Sequence, residues 1–380
     1  MAISLYIHVP FCLRKCRYCD FVSYVYDPEA ARRYRVALLR EMALYHEHLS
    51  PQERVLKTIF IGGGTPTCLP QGELVAILEG CRRYFHWSSG VEVTVEANPG
   101  TVDLSGLKAL YAAGVNRLSL GVQACSEHLL KLLGRVHSFS QAVEAVRLAR
   151  RAGFGNLNLD LIFALPGQSL ADWRKCLEEI LILEPEHISA YALQLEEGTP
   201  LARAVASGSI PCCDEETELA MYREVINFLT ARGYEHYEIS NFARPGYRCR
   251  HNLSYWQYEP YLGLGPAAHS CLRGERFYNT SSLEEYRATL SSGKLPVAGR
   301  EKLSLPLMMS ETVFLALRLR EGLDLEKFRA RFGKNIEEVF GDQILKLKEA
   351  GLLEVCSGHL RLTPRGLPLA NLVFQEFVLP

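Results

Sequence analysis

The alternation of short apolar runs with amphipathic stretches over the first half of the chain most constrains what it can fold into. Ile3 to Val9 reads as a buried strand and Pro28 to Tyr45 as a helix. Thr58 to Ile61 reads as a strand ending in Gly62-Gly63-Gly64-Thr65-Pro66-Thr67, with a helix at Gln71 to Tyr84. Val91 to Ala97 is a third strand and Arg117 to Gln123 a fourth, separated by a helix at Leu104 to Ala113. Helices at Glu127 to Leu133 and Gln141 to Ala152 lead to strand five, Asn158 to Ala164. A helix at Leu170 to Leu183 then leads to strand six, His187 to Gln194. Strands that recur with a helix between them run parallel, because each return needs a covering crossover. The predicted class is therefore α/β, a partial parallel (β/α) barrel over residues 1–200.

Residues 201–300 are expected to complete the barrel. Glu215 to Ala231 is helical, Tyr237 to Phe242 is one more strand, and Pro245 to Ser270 is rich in aromatics, Gly and Pro. Residues 301–380 change texture. Helical runs at Pro306 to Arg320, Leu325 to Phe332 and Ile336 to Ala350 precede a hairpin, Leu352 to Cys356 and His359 to Thr363 around Ser357-Gly358. This is an α+β, winged-helix-like domain. With 42 Lys plus Arg against 43 Asp plus Glu, the chain has no global field to hold a polyanion. The C-terminal charges nearly cancel and form no basic stripe, which argues against a DNA-binding module and predicts no nucleic-acid partner. No apolar run approaches the roughly 18 residues of a membrane span, and Met1 to Pro10 lacks the form of a signal peptide, so a soluble, cytoplasmic protein is expected.

In that compartment the 12 cysteines read as thiols, either buried or metal-binding, and not as a disulfide framework. Spacing separates them. Cys12, Cys16 and Cys19 fall within eight residues, immediately after strand one. A loop this short can turn three sulfurs to one centre, and thiolates suit either zinc or an iron-sulfur cluster. Structural zinc sites usually present two CxxC pairs, and no second pair lies elsewhere in the chain. Three ligands leave one metal position open for an exchangeable group. Cys249 stands two residues before His251, Cys212 and Cys213 read as surface thiols, and Cys68, Cys81, Cys125, Cys176, Cys271 and Cys356 as packing residues.

Parallel barrels gather their sites at the C-terminal ends of strands. Polar residues break the apolar runs at that level. Gly63, Gly64 and Thr65 follow strand two, Glu96 ends strand three, Gln123 ends strand four, Asp160 lies in strand five, and Tyr191 and Ala192 lie in strand six. A glycine run lets backbone approach a ligand closely or makes a tight turn. Glu96 and Asp160 are candidate acceptors for hydroxyl or ammonium groups, and Arg135 is a candidate fork for a carboxylate.

CxxxCxxC with Tyr18 before the third Cys resembles the signature of radical S-adenosylmethionine (SAM) proteins. The resemblance implies a radical SAM barrel with a 4Fe-4S cluster on Cys12, Cys16 and Cys19, and SAM at the fourth iron. It also implies SAM contacts from Tyr6, Tyr18, Gly63, Gly64, Thr65, Glu96, Gln123, Arg135, Asp160 and Ala192. Together with Glu96-Ala97-Asn98-Pro99, Gly121-Val122-Gln123 and Asp160-Leu161-Ile162, these positions are similar to the oxygen-independent coproporphyrinogen III oxidase group. The porphyrinogen dehydrogenases of that group carry a fourth Cys where this chain has Phe21. Asp20-Phe21 and His251-Asn252-Leu253-Ser254-Tyr255-Trp256 resemble instead the sister branch, the HemW-type haem chaperones. That branch implies haem as a third cofactor, with His251 as an axial imidazole. It also implies haem-acceptor proteins, membrane-bound ones among them, as partners, and allows a homodimer. The alternative is an oxygen-independent coproporphyrinogen III dehydrogenase.

Overall fold

The strand–helix alternation builds a sheet whose two faces differ in chemistry. The computed structural model describes residues 2–378. Strand β1 (Ile3–Val9) runs straight into the cysteine loop, which is bracketed by two short parallel strands, β2 (Phe11–Cys12) and β3 (Tyr24–Val25). Then β4 (Val55–Gly63), β5 (His86–Ala97), β6 (Arg117–Gln123), β7 (Leu157–Phe163) and β8 (His187–Ala192) follow, each after at least one helix and each parallel to its predecessor in the sheet.

Alternation within each strand decides what faces where. Ile3, Leu5, Ile7, Ile59, Ile61, Val93, Val95, Leu118 and Leu120 are fully buried. They share one core with helix residues such as Tyr34, Leu38, Ile77, Trp173 and Leu177. The opposite face is polar, with Ser4 beside Thr58, Thr58 beside Glu92, Glu96 beside Ser119, Ser119 beside Asn158 and Asn158 beside His187. Barrels filled by branched aliphatic layers leave no central space. A polar inner face leaves cavities instead.

The sheet does not close. Beyond β8 lie β10 (Asn241–Ala243) and the edge strand β9 (Glu235–Glu238), both antiparallel to their neighbours. On the other side β11 (Tyr261–Leu264) pairs parallel to β1, then β12 (His269–Leu272), β13 (Glu275–Asn279) and β14 (Val297–Lys302) continue antiparallel. The architecture is thus an open partial barrel with antiparallel extensions. The single strand expected over Tyr237 to Phe242 is two, turned at Ile239 and Ser240. The aromatic stretch 245–270 holds a helix, Arg250–Trp256, and all of β11, for which no element was expected.

The C-terminal unit has its own core, built from Val313, Phe328, Phe340, Leu360 and Phe377. Helices Leu305–Ala316, Leu325–Phe332 and Glu337–Glu349 pack on a three-stranded sheet of β15 (Leu323–Asp324), β17 (His359–Leu362) and β16 (Leu353–Cys356). It joins the barrel edge through backbone: Ile239 N–H donates to Arg318 O (3.1 Å) and Arg320 N–H to Tyr237 O (3.0 Å). No described helix is long and apolar enough to cross a membrane.

Candidate functional site

The cysteine loop is held by backbone at both ends and in the middle. Tyr24 N–H donates to Pro10 O and Tyr26 N–H to Cys12 O, both at 2.8 Å. Arg17 N–H reaches Leu133 O, and Arg17 O accepts from Leu201 N–H, both at 2.9 Å. Phe11 anchors the loop from below, buried with its ring edge-on to Tyr26 and Tyr34. With its backbone committed in this way, the loop turns Cys12, Cys16 and Cys19 into one cavity of about 480 Å³ at the barrel mouth.

Each sulfur sits among groups that suit a thiolate. Thr65 Oγ1 donates to Cys12 Sγ (3.7 Å) and Arg135 Nη1 to Cys16 Sγ (3.4 Å). Burial nonetheless pushes the Cys12 and Cys19 thiols up, so in the free protein both stay protonated at neutral pH and a metal must displace the protons. Among the described residues no three such side chains converge tightly enough for a single ion. A cubane cluster takes each thiolate at a different iron, so three soft donors around one cavity fit a cluster better than mononuclear zinc.

The glycine run has a steric cause. A Cβ on Gly64 would lie 2.5 Å from Phe11 O, and one on Gly62 would lie 2.7 Å from a Glu96 carboxylate oxygen. Gly63, at φ +105°, has the His8 ring where its Cβ would point. The turn can only pass between the cysteine loop and strand β5 without side chains. Its Gly63 N–H then donates to Glu96 (3.1 Å).

Two carboxylates lie deeper in the same cavity. Glu96 is pushed up to about 8 by burial, with the nearby Asp160 adding to the effect. Asp160 is also raised by burial, against donors from Ser119 (2.9 Å) and Asn158 (2.8 Å). A cationic group entering this space would relieve both. Arg135 provides the opposite charge. Its guanidinium donates to Gly121 O (2.8 Å), to Asn98 and to Cys16, while its buried Nε has no partner among the described residues. A buried guanidinium N–H left open beside a cavity fits a carboxylate. The site therefore offers complementary charge to a zwitterion. Gln123 ends β6 at φ +69°, in the left-handed region, where the register against β7 also slips; such strain concentrates at functional positions.

Most of the expected residues are brought together. Tyr18, Gly63, Gly64, Thr65, Glu96, Gln123, Arg135, Asp160 and Ala192 line the cavity with the three cysteines. Tyr6 does not. Its hydroxyl pairs with His8 Nδ1 (3.1 Å), and it borders two neighbouring cavities instead, because it lies nearer the floor of β1.

His251 lies outside that cavity as well. An axial ligand needs a free ring nitrogen, but here Nδ1 pairs with Thr58 Oγ1 (2.8 Å) and Nε2 with the Tyr255 hydroxyl (2.9 Å). The ring stacks on Phe60 and is 1% exposed. Glu92 accepts the Arg250 and His251 backbone N–H groups (3.0 and 2.9 Å), fixing the helix Arg250–Trp256 beneath the barrel. The cavity above it holds about 210 Å³, below the roughly 300–1,000 Å³ of ordinary small-molecule sites. In this conformation His251 is a floor residue with both ring nitrogens engaged. Cys249 is likewise buried, its thiol directed at Glu92 (3.7 Å). Cys125 and Cys176, expected as packing thiols, are joined in a disulfide across 51 residues, a proximity that spacing cannot reveal.

Sequence reasoning assigned no roles to Asn98, Arg117 or His187. Asn98 donates to Thr65 Oγ1 (2.9 Å), and buried Arg117 faces Glu92 and Asp160. His187 pairs with Asn158 (2.6 Å) and the Tyr237 hydroxyl (2.7 Å). The available signal was alternation: each sits where an inward-facing residue of an apolar run is polar, or one step past the strand.

Comparison with known proteins places the chain in a family. Residues 6–180 match the Radical SAM superfamily, and residues 303–369 match the HemN C-terminal domain. The chain is 36% identical over 376 residues to the heme chaperone HemW of Bacillus subtilis, covering 99% of each. It is 35% identical over 381 residues to the heme chaperone HemW of Escherichia coli, covering 99% of this chain and 98% of that one. The fold is that of the coproporphyrinogen III oxidase HemN from Escherichia coli, a radical SAM enzyme. The TM-score is 0.87 at 23% identity, over 99% of this chain and 90% of that one.

Proposed function

This chain belongs to the HemW family of radical SAM proteins, and we propose that it acts as a haem chaperone, binding haem beside a SAM-coordinated 4Fe-4S cluster and passing it to acceptor proteins. The observation that carries the reading is the single cavity in which Cys12, Cys16 and Cys19 meet Arg135, Glu96 and Asp160, in a chain similar along its whole length to proteins named heme chaperones. In this proposal the three thiolates hold the cluster. Arg135 takes the SAM carboxylate, Glu96 and Asp160 face its cationic and hydroxyl groups, and the backbone of Gly63, Gly64 and Thr65 passes close to it. Tyr18, Gln123 and Ala192 complete the walls. A bound cluster supplies one low-potential electron when reduced. The chain's own residues hold the zwitterion and keep the thiolates paired with donors.

The reading is tested by anaerobic reconstitution with iron and sulfide, followed by incubation with coproporphyrinogen III, SAM and reductant. We expect a cluster whose electron paramagnetic resonance signal shifts on adding SAM, its loss in Cys16→Ala with unchanged far-UV circular dichroism, and no protoporphyrinogen. Turnover of the porphyrinogen would replace the chaperone with a decarboxylating enzyme.

A further inference from the structure

Asn98 joins two sides of the cysteine cavity. It directly follows β5, lines the cavity and lies on a hydrogen-bonded path that begins at one of the three thiols and ends at another. Asn98 Nδ2 donates to Thr65 Oγ1 (2.9 Å), and Thr65 Oγ1 donates to Cys12 Sγ (3.7 Å). On its other side Asn98 Oδ1 accepts from Arg135 Nη2, and the same guanidinium donates through Nη1 to Cys16 Sγ (3.4 Å). The direction of every step follows from Arg135. A guanidinium only donates, so it must meet the amide oxygen. The amide nitrogen is then left to face Thr65, and the Thr65 hydroxyl, accepting from that nitrogen, keeps its own proton for the sulfur.

The backbone around Asn98 fixes that side chain. Its extended conformation (φ −95°, ψ 140°) is what the following Pro99 requires. Its carbonyl accepts from Thr101 N–H (2.9 Å) and Thr101 Oγ1 (2.8 Å), and that hydroxyl lies 2.6 Å from Thr67 Oγ1 on the turn after β4. Gly121 leaves room for the amide and the guanidinium together: a Cβ there would lie 3.1 Å from Asn98 Oδ1 and 3.2 Å from Arg135 Nη2. An amide serves both neighbours because it offers an acceptor and a donor in one plane. A carboxylate of the same shape would accept from both, draw the Thr65 proton to itself and leave Cys12 without that donor. Hydrogen bonds to the sulfurs are among the factors that set the reduction potential of an iron-sulfur cluster.

We propose that Asn98 is a positioning residue that sets the reduction potential of the cluster, by directing the Thr65 hydroxyl to the Cys12 thiolate while holding Arg135 for Cys16 and the SAM carboxylate. This rests on the reading of the cavity as a cluster and SAM site. The test is a potentiometric titration of reconstituted protein followed by electron paramagnetic resonance, in wild type, Asn98→Asp, Asn98→Ala, Thr65→Val and the double variant Asn98→Asp/Thr65→Val. We expect a midpoint potential more negative than wild type in every single variant, Asn98→Ala included although it adds no charge. The double variant should shift no further than Asn98→Asp alone, because the hydroxyl removed by Thr65→Val has already been turned away from Cys12. SAM affinity, read from the same signal, should fall about tenfold in Asn98→Asp, whose carboxylate competes for Arg135. The isosteric Asn98→Asp keeps the test decisive where Asn98→Ala fails to load. A wild-type potential in Asn98→Asp, or fully additive shifts in the double variant, would overturn the role of Asn98 and leave the cluster reading intact. A wild type without any SAM-sensitive cluster signal would overturn that reading itself.

Discussion

Buried single residues set how this molecule answers pH. Glu41, fully buried on the helix Pro28–His48, accepts from the Tyr286 hydroxyl (2.5 Å), Asn279 (2.6 Å) and Gly265 N–H (2.9 Å). Burial outweighs these donors and pushes its carboxyl up to about 7. Between its ordinary value of 4.5 and about 7, the folded chain holds a proton that the unfolded chain has released, so stability falls as pH rises through that window and levels off above it. The contribution is on the order of 3 kcal/mol. Other buried groups titrate in the same range, so the test is the difference: the urea midpoint of wild type relative to Glu41→Gln should fall as pH rises from 4.5 to 8, and parallel curves for both proteins would refute the assignment. At this scale the sequence carried the charged lining well, because Glu96 and Asp160 interrupt apolar strands and Arg135 closes the short helix that follows one. It could not give the surroundings of His251. An aromatic motif reads the same whether its histidine faces a ligand or, as here, donates and accepts inside a core between Thr58 and Tyr255.

Among elements, the glycine turn after β4 and the cysteine loop after β1 fit only each other. Gly64 N–H donates to Val9 O (2.9 Å) and Thr65 N–H to Phe11 O (2.7 Å), so the turn continues the pairing of the two strands beyond the sheet. Gly64→Ala would drive a methyl into the Phe11 backbone. We expect about 1–3 kcal/mol of destabilisation and a reduced yield of cluster on reconstitution, both measurable on one preparation; a fully loaded variant of wild-type stability would show the contact to be soft. The six parallel strands were legible because their buried face is an unbroken series of branched residues. Strand β11 was not, since Gly263 interrupts it, Gly265 follows it directly and only its position beside β1 makes it a strand. Gly263 is needed there because His269 O occupies the space of a Cβ.

Over the whole molecule, the C-terminal unit is fastened to the barrel where the motif helix, the edge strand and the C-terminal core meet. Arg318 lies over the Trp256 ring at 4.2 Å and 3.8 Å from the fully buried Glu238, while Glu238 and Leu319 form a β-bridge. Arg318→Ala leaves that carboxylate without its cation, a loss of roughly 3 kcal/mol in stability, and should separate one unfolding transition into two in calorimetry; an unchanged single transition would show that the units are coupled elsewhere. The winged-helix-like layout was visible as helices followed by a hairpin, whereas its attachment, made by backbone between residues about 80 apart in sequence, leaves no local signature. The proposed function makes this open barrel a haem carrier. The most direct test is to load cluster-bearing protein with haem under argon, mix it with apomyoglobin and follow the holomyoglobin Soret band. The account predicts stoichiometric transfer from a saturably loaded carrier. Haem that never binds saturably, or that stays on the protein while apomyoglobin remains empty, would contradict it.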